Sequence, residues 1–385
     1  MSVMLFGCKG SAGSDQEKIN PSPKHVQAVI QKPAFDRADS MRFEEFFTQL
    51  SHGSAFNGNV LIYHKGKIFE KSYGLADFQT GETLTKSHLF QLASGSKPLT
   101  ATLVLMLQDK GMLNIKDTVQ FYFPDFPYSG ITLEMLLSHR SGLSNYMYIT
   151  DDIWENKDIP ICNENILDTL IQKAPNPYYT PDTRFNYSNT NYFLLAAIVE
   201  KITGMSFESA ALKYLFQPAG MDETFIYSNM KYTQIPRVAL GHNAYGRVKA
   251  DFYLNGVTGD KGVFSTAKDL YIFDRALTRY ELLRQTTLES MYTPRSPFDR
   301  RGKSYALGWR VDNNFDDLVI YHNGWWRGYR SYFIRIPERD LAVIALSNTT
   351  KGSFIKVAEL VNLVSPLFKP MKNPTGKTTD EKHGA

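Results

Sequence analysis

Two serines and a lysine stand at the start of an apolar stretch, QLASGSKPLTATLVLML, at positions 91–107. Proline is tolerated only in the first turn of a helix, so Pro98 requires a helix that begins within a few residues before it. That start puts Ser94 at or beside the N-cap, where serine commonly caps a helix. Lys97 is unfavourable there, because its cation faces the positive end of the helix dipole. Taken alone, the Ser-x-x-Lys spacing still favours a cap over a catalytic pair.

The same spacing would also suit nucleophilic catalysis. Residues three apart are neighbours on a helix, so the Lys97 amine can approach the Ser94 hydroxyl. A neutral amine could accept the serine proton and free the oxygen to attack a carbonyl carbon. A Ser94 nucleophile therefore needs partners elsewhere in the chain.

Two further stretches carry polar residues that could complete such a site. Tyr187 and Asn189 precede an apolar helical run, where such residues commonly pack or cap the helix. As site residues, the Tyr187 phenol would relay a proton and the Asn189 amide would bind a substrate carbonyl. His322 and Gly324 end a predicted strand. A histidine there is usually structural, but a glycine lets a substrate approach the backbone, and a strand N–H could help form an oxyanion hole.

Together the three stretches resemble the penicillin-binding protein and serine β-lactamase superfamily. Its signature is Ser-x-x-Lys, then Tyr-x-Asn or Ser-x-Asn, then Lys-Thr-Gly or His-x-Gly, in that order. Further stretches look like the same family, and the resemblance spans roughly positions 58–348: YGLADFQTGETLTKSHLFQLASGSK, ITLEMLLSHRSGL, PDTRFNYSNTNYFLLAAIVEKITG and GDKGVFSTAKDL. The resemblance is to the class C β-lactamase-like members and to the D-Ala-D-Ala carboxypeptidase and esterase branch.

The resemblance implies a role for each matching residue. Ser94 would be the acylated nucleophile and Lys97 its base. Tyr187 would share in proton transfer during acylation and deacylation, and Asn189 would orient the substrate amide or ester. The reaction implied needs no cofactor and no metal.

The third motif departs from the commoner Lys-Thr-Gly form. His-Asn-Gly lacks the fixed lysine charge and the threonine hydroxyl that help hold a substrate carboxylate, and His322, with a reference pKa of about 6.5, would be only partly charged at neutral pH. This favours the carboxypeptidase, D-aminopeptidase and esterase branches over an efficient β-lactamase. The backbone N–H groups of Ser94 and Trp325 would form the oxyanion hole. Trp325 and Trp326 add apolar bulk, which suggests an aromatic or acyl group in the ligand.

The elements that must hold these residues form strands at both ends of the chain and helices between. Apolar spacing predicts a helix over 41–53, and two β-branched and aromatic runs around Lys65-Gly66 predict a β-hairpin. Strands are predicted at YALGWRV, DLVIYHNG, YRSYFIRI and LAVIALSN, the last two joined by a turn at 337–340, and a closing amphipathic helix at 353–368. The predicted fold class is α/β (α+β): one antiparallel sheet flanked by helices, with an inserted all-helical region.

These patterns predict a single catalytic domain over 36–368. Its sheet part would cover about 41–96 and 253–368, and its helical part about 97–252. Between the motifs, Asp260 and Lys261 are expected in a turn.

The ends of the chain are polar. Residues 1–35 are interpreted as a disordered segment or a lipoprotein tether, because the residues up to Cys8 partly match a lipobox but follow a short apolar run with no basic region. Residues 369–385 are predicted to be a disordered tail. With Cys162 there are two cysteines, without ligand spacing, so neither a disulfide framework nor a zinc site is predicted.

Charge and hydropathy argue against a nucleic-acid partner and a membrane-spanning segment. The chain of 385 residues carries 43 Lys and Arg against 39 Asp and Glu, a net charge of +4 spread along its length, so no nucleic-acid partner is predicted. No apolar run approaches the roughly 18 residues of a membrane span.

The sequence thus predicts a serine hydrolase that forms an acyl-enzyme on Ser94. Its substrate would be an ester, a D-amino-acid amide or peptidoglycan peptide, or a β-lactam, and its location the bacterial cell envelope, periplasmic or anchored through Cys8. The alternative is a non-catalytic envelope protein of the same fold that binds penicillin or muropeptides. The presence of Lys97, Tyr187 and Asn189 together argues against that alternative.

Overall fold

The computed structural model describes residues 34–53, 55–228, 231–249 and 251–368. The candidate anchor Cys8 and the predicted tail 369–385 lie outside the described residues, as does nearly all of the predicted tether. Phe35 is an exception: its ring packs edge-on against Phe43, with centroids 5.1 Å apart, and is buried. The packed part of the chain therefore reaches one residue into the segment 1–35.

The strands are, in chain order, β1 (Gly58–His64), β2 (Lys67–Tyr73), β3 (Phe90–Gln91), β4 (Phe225–Ile226), β5 (Val263–Ser265), β6 (Lys303–Tyr305), β7 (Arg310–Asp312), β8 (Val319–Trp326), β9 (Tyr329–Ile336) and β10 (Leu341–Ser347). Seven of them form an antiparallel sheet in the order β2-β1-β10-β9-β8-β7-β6, and a small sheet has the order β3-β5-β4. The N-terminal hairpin thus pairs with the last strand, β10. This confirms the predicted sheet built from both ends of the chain.

The helices are α1 (Arg37–His52), α2 (Lys97–Asp109), α3 (Val119–Tyr122), α4 (Leu133–Leu137), α5 (Tyr146–Ile153), α6 (Asn163–Lys173), α7 (Thr190–Thr203), α8 (Phe207–Ala211), α9 (Gln217–Ala219), α10 (Ala267–Thr278), α11 (Gln285–Tyr292) and α12 (Val357–Val364). Helices α2 to α9 form the predicted inserted region. Within the described parts of the chain, no helix has both the length and the apolar composition needed to cross a bilayer.

The main sheet is covered on both faces because its strands alternate between two cores. In β1, Leu61 and Tyr63 belong to the core shared with the helical region, whereas Val60 and Ile62 face the core under α1 and α12. Successive side chains of a strand point to opposite faces, so a strand buried on both sides reads as continuously apolar. All seven residues of β1 are accordingly buried.

Two predicted boundaries need correction. Helix α1 begins at Arg37, not near residue 41, because the Asp36 carboxylate caps it by accepting from the Asp39 N–H at 2.9 Å. The single strand predicted at 305–311 is two strands, β6 and β7, separated by a turn. In that turn Gly308 has a φ of +84°, and a Cβ there would lie 2.4 Å from the Cβ of Ala101 on α2.

Strands β8 and β9 hold a short 3₁₀ turn, Ala93–Ser96, that leads into α2. A Cβ on Gly324 of β8 would lie 2.2 Å from the Leu92 carbonyl oxygen. On β9, the Ser331 hydroxyl donates to the same carbonyl at 2.6 Å, and a Cβ on Gly95 would lie 2.7 Å from that hydroxyl. The contact between this turn and the sheet therefore depends on glycine at both positions.

Replacing Gly324 with alanine should destabilise the protein. The added methyl group would overlap the Leu92 carbonyl, a backbone atom that cannot move without shifting the turn, so we expect the free energy of unfolding to fall by roughly 1–3 kcal/mol. Urea unfolding measures this. Gly53→Ala is the matched control, because Gly53 has a φ of −70° and its nearest contact would be 3.4 Å away. Equal stability of the two variants would contradict the close approach.

Candidate active site

Ser94 lies in a strained turn. The preceding residue, Ala93, has a φ of +53°, a left-handed conformation that costs a non-glycine residue on the order of 1–3 kcal/mol. The Gln91 side-chain oxygen accepts from the Ala93 N–H and supports that conformation. Ser94 is half-buried while its neighbours in the turn are fully buried. The strained backbone therefore presents one hydroxyl of this segment to the surface.

The helix-cap interpretation does not fit this geometry. Helix α2 begins at Lys97 with Pro98 in its first turn, as predicted, but its N-cap is Ser96, two residues after Ser94. Ser96 makes no side-chain capping bond and instead accepts from the Val263 N–H at 3.3 Å. Ser94 is therefore available for another role.

The Lys97 amine is buried and has three neighbours. Its Nζ lies 3.2 Å from the Ser94 hydroxyl, 2.8 Å from the Asn189 side-chain oxygen and 2.9 Å from the Asp260 carbonyl oxygen. The last two atoms can only accept. A neutral amine has two N–H donors, so these acceptors would take both and leave the lone pair directed at the Ser94 hydroxyl. This is the arrangement that a general base requires.

Tyr187 and Asn189 lie at the start of α7. Asn189 is the N-cap residue but makes no side-chain capping bond, because its amide is directed to Lys97. The half-buried Tyr187 ring lies with its centroid 5.0 Å from the Lys97 Nζ. The His139 ring supports it from behind at 4.2 Å. The structure thus brings the predicted Ser-x-x-Lys and Tyr-x-Asn motifs together.

His322 is buried behind the site. Its Nδ1 lies 2.9 Å from the Asn323 carbonyl oxygen, and its Nε2 lies 3.0 Å from the Tyr305 hydroxyl. A carbonyl can only accept, so we assign the ring proton to Nδ1 and take Nε2 as the acceptor. Burial, reinforced by the nearby Arg310 and Lys97 cations, lowers the pKa of His322 well below its usual range. His322 is therefore neutral at physiological pH, not partly charged as the sequence suggested.

A cleft of about 570 Å³ opens beside Ser94. Trp325 is 63% exposed at its edge, whereas Gly324 is buried against the turn that carries Ser94. Five of the eleven residues that line the cleft are apolar or aromatic, and six are polar or charged. Its lining residues are Ser94, Asn145, Met147, Tyr148, Asn189, Phe252, Asp260, Lys261, Trp325, Trp326 and Arg327.

Sequence reasoning missed the importance of Asp260 and Lys261. They were predicted to lie in a turn, yet they are 1% and 2% exposed and line the cleft. The sequence carried no signal of this burial, because Gly259-Asp260-Lys261-Gly262 has the composition of an ordinary solvated turn. Both glycines have φ above +90°.

Arg310, on β7, was also missed. Its guanidinium carbon lies 5.1 Å from the centroid of the Tyr187 ring. Its Nε is buried without a hydrogen-bond partner, and no carboxylate within the described residues lies at ion-pair distance from it. One arginine in a strand gives no sequence signal. Arg310 therefore supplies a positive charge that the His-Asn-Gly motif lacks.

Two buried histidines should make stability depend on pH. Burial lowers the pKa of His139 and of His322 well below their usual value of about 6.5. At a pH between the lowered pKa of the folded state and about 6.5, each histidine is protonated in the unfolded chain and neutral in the folded chain. The stabilising contribution is therefore complete above about pH 6.5 and is lost as the pH falls, by up to about 1.4 kcal/mol per pH unit for each histidine.

His322→Gln should reduce this dependence. Unfolding of the wild type and the variant between pH 7.5 and pH 5.5 gives the two slopes, and the variant should have the smaller one. The comparison is needed because Glu200, whose pKa burial raises to about 7, contributes a slope of opposite sign in both proteins. Identical slopes would contradict a buried, neutral His322.

The Beta-lactamase family model matches residues 43–365 of this chain. Penicillin-binding protein 4* of Bacillus subtilis (strain 168) is 32% identical over 351 residues, which cover 85% of this chain and 77% of that protein. Further curated relatives match as well, and the chain spans 62 to 64% of their length.

Solved structures of related proteins share the fold. The penicillin binding protein from Bacillus halodurans superposes with a TM-score of 0.73 at 24% identity, covering 87% of this chain and 100% of that one. The D-amino acid amidase from Ochrobactrum anthropi SV3 superposes with a TM-score of 0.71 at 23% identity, covering 86% of this chain and 96% of that one. The chain therefore belongs to the beta-lactamase family, within the penicillin-binding protein and serine β-lactamase superfamily of serine hydrolases.

Proposed function

We propose that this chain hydrolyses its substrate through an acyl-enzyme on Ser94. The observation that carries the proposal is the buried Lys97 amine, held by two acceptors and 3.2 Å from the hydroxyl of Ser94, which lines an open cleft. A buried polar group without a task could have been replaced by an apolar one, whereas an amine beside a half-exposed serine activates it.

The proposed reaction uses groups that already converge on Ser94. Lys97 accepts the hydroxyl proton while the Ser94 oxygen bonds to the carbonyl carbon of an ester or amide. The carbonyl oxygen becomes an oxyanion, stabilised by the backbone N–H groups of Ser94 and Trp325. The bond to the alcohol or amine then breaks, and that group leaves with a proton relayed from Lys97 by Tyr187. Water attacks the acyl-enzyme with the same residues as base, and Ser94 recovers its proton.

Arg310 favours a substrate that carries a carboxylate. A guanidinium binds a carboxylate through charge-assisted hydrogen bonds, and that of Arg310 has no acidic partner among the described residues. Arg310 lines a neighbouring cavity and not the Ser94 cleft itself, but its guanidinium carbon lies 5.1 Å from the centroid of the Tyr187 ring. We therefore rank a D-peptide with a free carboxyl terminus, as in carboxypeptidase action, ahead of D-amino-acid amides and simple esters, which lack that carboxylate.

The apolar residues of the cleft would contact the acyl part of the substrate. Phe252, Met147 and Trp325 line it and would accept an aromatic or aliphatic side chain. The names of two similar proteins, a penicillin-binding protein and a D-amino acid amidase, fit a substrate of the D-amino-acid class. Asn189 would hold the substrate amide next to Lys97.

The second candidate is a penicillin- or muropeptide-binding envelope protein without turnover. It shares the acylation step, so only release of the acyl group distinguishes it. In either case a bacterial envelope location, with Cys8 as the lipid-attachment site, remains part of the proposal. Detection of a lipid-modified Cys8 peptide by mass spectrometry of the protein from its native membrane would test that anchor.

Ser94→Ala should abolish covalent labelling by a fluorophosphonate or a fluorescent penicillin, because the acylated oxygen is removed. Lys97→Met should retain the hydroxyl but slow labelling on the order of 10²–10⁴-fold, since the base is lost. Labelling rates followed by gel fluorescence give both results. Ser96→Ala is the matched control from the same turn, with its hydroxyl directed to Val263.

The labelling outcomes also separate the candidates. A folded wild type that takes up neither probe would overturn the proposal. Labelling at Ser94 with no product release from p-nitrophenyl esters, nitrocefin or D-Ala-D-Ala peptides would favour the binding protein instead.

Arg310→Met should lower the preference for a free carboxylate. With a D-Ala-D-Ala peptide and its C-terminal amide as paired substrates, the ratio of their kcat/KM values should fall by about 10-fold or more, because a hydrogen bond to a charged group contributes roughly 1.5–3 kcal/mol. Lys303→Met is the matched control, since the Lys303 amine lies 3.8 Å from the Asp312 carboxylate. An unchanged ratio in Arg310→Met would place the carboxylate elsewhere.

A further inference from the structure

We propose that Tyr146, Asp260 and Lys261 form a positioning triangle for Lys97, and that this triangle sets the rate of acylation without binding the substrate. The inference rests on the proposed function, because Lys97 is taken as the base. It assigns a role to residues that belong to none of the three sequence motifs.

The three side chains form a closed set of contacts. The Lys261 amine donates to the Tyr146 hydroxyl at 2.7 Å, and that hydroxyl donates to the Asp260 carboxylate at 3.0 Å. The Lys261 amine also lies 3.3 Å from the other Asp260 oxygen. All three residues are at most 2% exposed. The triangle therefore joins the start of α5 to the segment before β5.

The triangle acts on Lys97 through the backbone. The Asp260 carbonyl oxygen is one of the two acceptors that orient the Lys97 amine. The preceding carbonyl, that of Gly259, accepts from the Thr100 hydroxyl at 2.7 Å, which ties the same segment to α2. The triangle thus holds this segment through the Asp260 side chain, and Thr100 holds it through the preceding Gly259 carbonyl. A shift of this segment would turn the Lys97 lone pair away from Ser94.

Tyr146 links the triangle to the second acceptor. Its backbone N–H donates to the Thr190 hydroxyl at 2.8 Å, and Thr190 follows Asn189 at the start of α7. The two acceptors of Lys97 are therefore connected through Tyr146, by its backbone N–H on one side and its hydroxyl on the other. Without Tyr146, the acceptor on α7 and the acceptor at Asp260 would be held independently.

Lys261 is not arranged to bind a substrate anion. An ammonium group has three N–H donors, and three acceptors face this one: Tyr146, the Asp260 carboxylate and the Val257 carbonyl oxygen at 3.3 Å. The Trp326 ring, 5.1 Å from the Nζ, lies beside it at the cleft wall. Its donors are therefore already used, although it lines the cleft.

Stability does not explain the triangle. A buried ion pair costs desolvation, and apolar residues of similar volume are often as stable or more so. The pKa of Lys261 is lowered to about 8, mainly by burial and against the opposing effect of Asp260. Such an arrangement next to a reacting group is typical of a functional site.

The test compares variants that remove the triangle without leaving an unpaired charge. Tyr146→Phe removes the bridging hydroxyl, and the double variant Asp260→Asn/Lys261→Met removes both charges. We expect the labelling rate at saturating fluorescent penicillin, which measures acylation alone, to fall on the order of 10–100-fold. The penicillin concentration that gives half of the maximal labelling rate should stay within about twofold, since no substrate contact is lost. The melting temperature of the double variant should equal or exceed that of the wild type.

Tyr122→Phe is the matched structural control. The Tyr122 hydroxyl also donates to a carboxylate, that of Asp117 at 2.8 Å, on α3 in the helical region. Its loss should lower the melting temperature and leave the labelling rate unchanged.

Two results would overturn the triangle. Folded variants with the wild-type labelling rate at saturating penicillin would show that it does not position the base, and weaker half-saturation at an unchanged maximal labelling rate would make Lys261 a binding residue. In both cases the wild type still labels at Ser94. Failure of the wild type to label would instead overturn the proposed function.

Discussion

The burial of one amine determines how the site is built. A fully buried Lys97 is costly unless each of its donors meets an acceptor, and its neighbours come from three separate segments. Ser94 precedes the same helix, Asn189 begins α7, and Asp260 lies before β5. None of these segments can move independently without leaving the amine unsatisfied. The inserted helical region and the sheet are therefore held in one arrangement around this nitrogen.

Several features of the site lower the stability of the folded protein. Ala93 adopts a left-handed conformation, and two glycines, Gly95 and Gly324, are needed for the turn to sit against β8 and β9. The Asp260–Lys261 pair adds desolvation. Strain and buried charge concentrate here because the turn holds the Ser94 hydroxyl 3.2 Å from the buried Lys97 amine, and the two extensive apolar cores on either side of the sheet offset them.

The sequence predicted those features that depend on residues close together in the chain. The hairpin at Lys65-Gly66 follows from the positive φ that both turn residues adopt, and the order of strands and helices follows from hydrophobic periodicity. The Ser94 and Lys97 pairing was predictable because both lie on one helical turn. Tertiary contacts decided the rest. The turn at Gly308 is imposed by Ala101 of α2, and no pattern near a charged residue announces that a distant element will bury it, as α5 does with Asp260.

The neutral His322 changes where positive charge lies in the site. In this chain the strand that carries His-Asn-Gly contributes no fixed cation, since its histidine is buried with its Nε2 directed to Tyr305. The Lys261 cation is neutralised by Asp260, and the Lys97 amine is enclosed by Ser94, Asn189 and Asp260. Arg310 is then the permanent cation nearest Tyr187 that lacks an acidic partner among the described residues. An anionic group would therefore be drawn to β7, beside the Tyr187 ring.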